Sequence, residues 1–185
     1  MKYLHWKIIL LVIAFIAVAG IGPNRVAADT AAEINQEVKS TLKGLYAESS
    51  TAKALGQKAK GILVFPSIIK GGFLVGGQYG EGALLKEGKN VGYYSTVQVS
   101  YGLQAGLQKH GYVLFFMTEE AMQWLDKSDG WELGVGPTIV VVDEGMATSK
   151  TTTTLQSDIY AFFFDQTGLM GGLGLQGTKV TRIEK

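Results

Sequence analysis

The sequence predicts an α+β fold: a strongly curled antiparallel β sheet or barrel-like body, with N-terminal helices and one short helix inserted between strands. Three observations predict it. Apolar residues recur at every second position over much of the chain after Gly61, the period of strands with one buried face. The 25 glycines alternate with large apolar residues such as Phe73, Leu74, Val75, Tyr79, Leu169, Leu173 and Leu175; a disordered linker lacks these, whereas glycine within strands permits tight coiling and close backbone approach. Helical periodicity is confined to the first sixty residues and one later insertion, so the helix after nearly every strand that parallel α/β layering requires is missing.

The elements follow in order. Lys2, His5 and Lys7 give a basic start, Ile8 to Ala19 is unbroken apolar chain, and Gly20, Gly22 and Pro23 precede the small residues Val26-Ala27-Ala28. This is the three-part layout of a secretory signal, with cleavage expected after Ala28. The 14 residues from Ile8 to Ile21 fall short of the roughly 20 that a spanning helix needs. The expected organisation is a signal peptide over 1–28 and a single domain over 29–185, exported to a periplasm or extracellular space, where it can be peripheral to a membrane.

Thr30 and Glu33 have the spacing of a capping box, and Ile34, Val38, Leu42, Leu45 and Tyr46 recur at helical spacing, predicting an amphipathic helix that ends near Tyr46. Ser50 is placed to cap a second, shorter helix running through Leu55 to Ala59. Gly61–Phe65, closed by Pro66, reads as a buried strand. Further strands are predicted over Gly72–Tyr79, Gly82–Lys86, Val91–Leu107 and Tyr112–Met117, with bends or bulges allowed at Gly102 and Gly106. Thr118 caps an inserted helix to Lys127, with Glu119 and Glu120 at its positive end. Strand character returns at Pro137–Val142, Ile159–Phe164, Leu169–Gln176 and Lys179–Ile183.

Composition excludes several kinds of chemistry. Removing 1–28 takes Lys2, Lys7 and Arg25 from 17 basic residues, leaving 14 against 16 acidic. A net charge of −2 is no footing for nucleic acid. The absence of cysteine removes disulfides, thiolate zinc sites and cysteine nucleophiles together. One histidine, His110, remains after cleavage; beside Gly111 it reads as an exposed turn residue, and alone it assembles no ordinary zinc site. No metal and no cofactor are expected. Gly172-Leu-Gly-Leu-Gln-Gly177 has the dinucleotide string without the helix and further strand the pyrophosphate site requires. The acidic pairs Glu119/Glu120, Asp126/Asp129 and Asp143/Glu144 are explained by helix ends and loops. Charge is nevertheless uneven: six lysines (39, 43, 53, 58, 60, 70) face one acid, Glu48, between Lys39 and Lys70. Such asymmetry can orient a protein at an anionic surface.

One block is more specific. Ala59-Lys60-Gly61-Ile-Leu-Val-Phe65-Pro66-Ser-Ile-Ile-Lys70-Gly71-Gly72-Phe73-Leu-Val-Gly76-Gly77-Gln-Tyr-Gly80-Glu-Gly82 closely resembles the signature of the SYLF domain, a lipid-binding family related to yeast actin-binding endocytic proteins. Ser100–Gly106, Thr118–Leu125, Leu133–Pro137, Asp158–Tyr160 and Gly168–Thr178 resemble its later segments in order. The resemblance implies a non-enzymatic lipid-binding module, with phosphoinositides the ligands of eukaryotic members and an anionic phospholipid the partner of an exported bacterial-type one. Actin enters here as a family label. Lys58, Lys60 and Lys70, which flank the block, are the expected head-group contacts, with Lys39 and Lys43 as further ones. Phe65 and Phe73 are candidate acyl-chain contacts. Lys86 or Lys89 can stand for a basic residue that the family carries after its glycine-rich strands. The alternatives are a carrier that holds an apolar ligand inside the curled sheet, and a hydrolase.

Overall fold

Thr30 accepts a hydrogen bond from the Glu33 amide, and the Glu33 carboxylate accepts one from the Thr30 amide at 2.8 Å, so the expected capping box opens helix α1 (Ala31–Glu48). Ser49 caps α2 (Ser50–Gly56) through the Ala52 amide, one residue before the position expected. The computed structural model describes residues 29–127, 129–142, 157–164, 175 and 177–185, with backbone alone for 72–75 and 100–107. The expected signal segment, most of the expected strand 169–176, and the Asp143/Glu144 pair lie outside the described residues.

Beyond the helices, two strands dominate: β1 (Gly61–Lys86) and β2 (Lys89–Phe116), which pair antiparallel along their lengths. Each replaces a series of short strands expected from the turn residues. Pro66 does not close a strand: the register shifts between Phe65 and Ile68, and this bulge absorbs the residue that cannot donate to the ladder. The hairpin turns at Glu87-Gly88, both with positive φ (50° and 76°), the backbone form that matches strand twist in two-residue turns.

The inserted helix is an α turn, α3 (Glu119–Met122), capped by Thr118, continuing as a 3₁₀ turn over Gln123–Asp126. Then come β3 (Trp131–Glu132), β4 (Ile139–Val142), β5 (Ile159–Phe164) and β6 (Lys179–Ile183). The described strands form one sheet ordered β3-β6-β2-β5-β4, with β1 on the other edge of β2. β6 pairs with Tyr93–Val97 and β5 with Gly111–Phe116, so two strands divide one edge of β2 between them. The sheet is mixed: β4 runs parallel to β5, and the other pairs are antiparallel as expected.

Curling is visible within β1 itself. A Cβ on Gly82 would collide with the Val64 carbonyl oxygen, and one on Gly80 would stand 2.7 Å from that of Ser67. Residues 18 and 13 apart in one strand thus touch, which only glycine permits at such approach.

The ladder sorts side chains by parity. Leu63, Phe65, Tyr112, Leu114, Phe116, Ile159 and Ala161 point into the curl, where Trp131, Leu133, Met122 and Leu125 complete the core. Val64, Ala83, Leu85, Val113, Phe115, Tyr160 and Phe162 point outward and are covered by Ile34, Val38, Leu42, Leu45, Ala52 and Leu55 of the helices. Burial on both faces explains why Tyr112–Phe116 and Ile159–Phe164 read as continuous apolar runs. These side chains make up the described core inside the curl.

Candidate functional site

Helix α1 carries Lys39, Leu42, Lys43, Tyr46 and Ala47 at i, i+3, i+4, i+7 and i+8, a single stripe of the helix. Leu42 is buried against the sheet, Tyr46 is half-buried, and the lysines are exposed. The stripe borders a shallow groove of about 530 Å³ that is closed by Lys53 of α2 and floored by Leu85 near the hairpin turn. The Tyr46 ring stacks on Phe115 at 6.4 Å, and burial pushes its phenol above the ordinary range. It therefore stays a neutral donor.

Electrostatically the groove is unbalanced. Lys39 and Lys43 are like charges one helical turn apart, an arrangement that repels. Among the described residues no carboxylate lies within ion-pair distance of Lys39, Lys43 or Lys53. Three ammonium groups over an apolar floor fit an anionic head group whose apolar part lies against Leu42, Tyr46 and Leu85.

None of the expected head-group trio lines this groove. Lys58 follows α2 in a turn where its amide bonds the Leu55 carbonyl at 3.0 Å, and the Lys60 amide bonds the Phe116 carbonyl at 2.7 Å. Lys70 sits ten residues further along β1, opposite Gln108, about 30 Å of strand contour from Lys60. Phe65 is fully buried and meets Tyr112 at 5.0 Å, so it packs in the core rather than touching lipid. The Phe73 side chain lies outside the described residues. Lys39 and Lys43 do converge, joined by Lys53, which the sequence reading counted in the basic segment but did not place at the site. The missed signal was the helical stripe: Leu42 and Tyr46 were recognised as periodic residues but not as neighbours of the two lysines between them.

Lys86 and Lys89, opposite each other at the hairpin turn, are exposed and adjoin this region. Asn90 donates to Asn35 at 2.6 Å and Asn35 to the Tyr93 hydroxyl at 2.8 Å, tying the hairpin to α1 one turn before Lys39.

His110 corrects a further expectation. It is no exposed turn residue: it lies inside β2, 2 % exposed, against Phe163, with Nδ1 unpartnered among the described residues. Burial, and secondarily the Lys70 charge, hold its pKa below 6.5. Among the described residues no group of three metal-ligating side chains occurs, and no helix is long and apolar enough to cross a membrane.

Residues 97–185 match a protein family described as Ysc84, Las17-binding protein actin regulator. The match spans 89 of 185 residues, beginning within β2 and running through β6. No curated protein matches the chain. The groove residues and the glycine-rich block 59–82 precede the matched stretch.

Proposed function

We propose that this chain, whose residues 97–185 match the Ysc84 (SYLF) family of lipid-binding or actin-related modules, is a non-enzymatic module of that family that docks on anionic phospholipid through the α1–α2 groove. The observation that carries this reading is the convergence of Lys39, Lys43 and Lys53, without carboxylate partners among the described residues, over the apolar floor of Leu42, Tyr46 and Leu85. A phosphate takes up the like-charge repulsion while the floor offers its acyl end an apolar contact. The chemistry selects a phosphorylated or otherwise anionic head group and does not require inositol. The N-terminal signal layout supports placing this module in the cell envelope.

Co-sedimentation with phosphatidylglycerol vesicles tests the reading. A Lys39→Gln/Lys43→Gln/Lys53→Gln variant is expected to lose about a hundredfold in affinity, from roughly 1 kcal/mol per lysine near a charged surface. The Lys58→Gln/Lys60→Gln/Lys70→Gln variant removes equal charge from positions outside the groove and loses much less. Equal losses in the two triples mean that net charge, not the groove, governs binding, and overturn the assignment. Retention of full affinity by the first triple does the same.

A further inference from the structure

The β1–β2 hairpin carries a distortion close to its turn. Leu84 faces Gly92 across the ladder and Leu85 faces Asn90, so Val91 has no opposite residue and is the extra one of a β-bulge. Bulges re-aim the side chains around them, and here the two neighbours part. Asn90 turns to α1 and donates to Asn35 at 2.6 Å, whereas Val91 is left 43 % exposed. Other apolar residues of the described chain are as open, Ile69, Val99 and Val135 among them, and singly such residues need no explanation. Val91 differs in what surrounds it.

Cations gather at this end of the sheet. Lys86 and Lys89 face each other, exposed, across the Glu87-Gly88 turn. Arg182 of β6 lays its guanidinium over Gly92, where an added Cβ would stand 3.4 Å from Nη2, and it donates to the Val91 carbonyl at 3.4 Å. Among the described residues no carboxylate lies within ion-pair distance of these three. Glu87 in the turn and Glu184 after β6 are the acids nearest to them in sequence. The hairpin end is also continuous with the groove: Leu85 lines the groove, and Asn35, which holds Asn90, lies one helical turn before Lys39.

A single anion in solution needs only the groove. An exposed apolar residue set among cations beside it fits a bilayer surface, where phosphates lie level with the ammonium groups and acyl chains begin just beyond. We infer, resting on the reading of the groove as a lipid-docking site, that the partner is the surface of an anionic bilayer and that the bulged hairpin end enters it. Val91 leads into the acyl boundary while Lys86, Lys89 and Arg182 meet head groups. The bulge serves this by keeping Val91 out of the ladder register.

The chain has no cysteine, so a polarity-sensitive dye on Val91→Cys reports from one place. With phosphatidylglycerol vesicles its emission is expected to shift to the blue and its quenching by acrylamide to fall severalfold. The same dye on Val135→Cys, exposed and beside Glu132, should do neither. Glycerol phosphate, which offers the phosphate without the bilayer, should leave the Val91 signal unchanged. Val91→Asp is expected to lower vesicle affinity about tenfold, through lost apolar burial and an added like charge; the residue is exposed, so the core stays intact. Protein that sediments with vesicles while the Val91 dye stays silent overturns the insertion and leaves the groove standing. Failure to sediment at all overturns the groove reading and this inference with it. A dye that responds equally at both positions, or equally to glycerol phosphate, reports adsorption or rearrangement instead of entry and overturns the inference alone.

Discussion

Gly82 and His110 show how single residues constrain this fold. Gly82→Ala pushes a methyl group into the Val64 carbonyl, and backbone cannot yield as a flexible side chain does. Overpacking costs up to about 3 kcal/mol, which for a domain of this size is roughly a 10 °C fall in melting temperature; calorimetry on Gly82→Ala checks it. His110 is buried and held neutral, its pKa depressed by desolvation and then by Lys70. Between the depressed folded value and 6.5, the unfolded chain binds more protons than the folded one, so stability rises with pH there. Urea midpoints are therefore expected to be steady above pH 6.5 and to fall as the pH drops below it. His110→Leu should flatten the fall; an unchanged slope would assign it to other groups. The burial of His110 was not legible in the sequence, because its Gly111 neighbour reads as a turn. In the structure Gly111 lies inside β2 and pairs with Phe164 at the end of the β2–β5 ladder, and a local turn signal is overridden by pairing from about fifty residues away.

At the level of elements, what could be read locally was read well. The Thr30–Glu33 box, Ile159–Phe164 and Lys179–Ile183 needed only hydrogen-bond chemistry within a turn, an unbroken apolar run or a period-two run. The continuity of β1 across Pro66 was hidden, since a bulge keeps the strand going by a distortion that no pattern announces. The parallel placement of β4 against β5 is likewise set by how chain is routed, not by either strand's composition. Among the helices, α2 is the vulnerable one. Its seven residues are too few to be stable alone, and Ser49 supplies its N-cap while Lys53 completes the groove. Ser49→Ala is expected to cost about 1 kcal/mol of stability and also to weaken vesicle binding by loosening Lys53. Chemical denaturation and co-sedimentation on one preparation read both losses. A variant that loses stability but keeps full affinity would detach α2 from the site.

For the whole molecule, the α+β class was legible, and residues 97–185 match the family that the sequence resembles, whereas the groove was only half legible. Lys39 and Lys43 share a helix, and helical spacing declares them neighbours; Lys53 joins them through packing of two helices on one sheet, which no spacing encodes. Lys60 and Lys70, close in sequence to Lys53, lie outside the groove, on chain that has turned into extended strand and travels about 3.3 Å per residue. If the groove works through charge, binding to anionic vesicles should weaken steeply with salt, as the screening length shrinks from roughly 10 Å at 0.1 M to 3 Å at 1 M; affinity indifferent to salt would point to apolar contact alone. The self-approach of β1 carries a last consequence. Val64 from one end of the ribbon and Ala83 and Leu85 from the other meet beneath the same two helices, so the helical roof rivets a bracelet shut. Any guest gripped between roof and clasp favours the fastened form. Its affinity is then linked to the melting temperature, and conditions that spring the bracelet open must also release the guest.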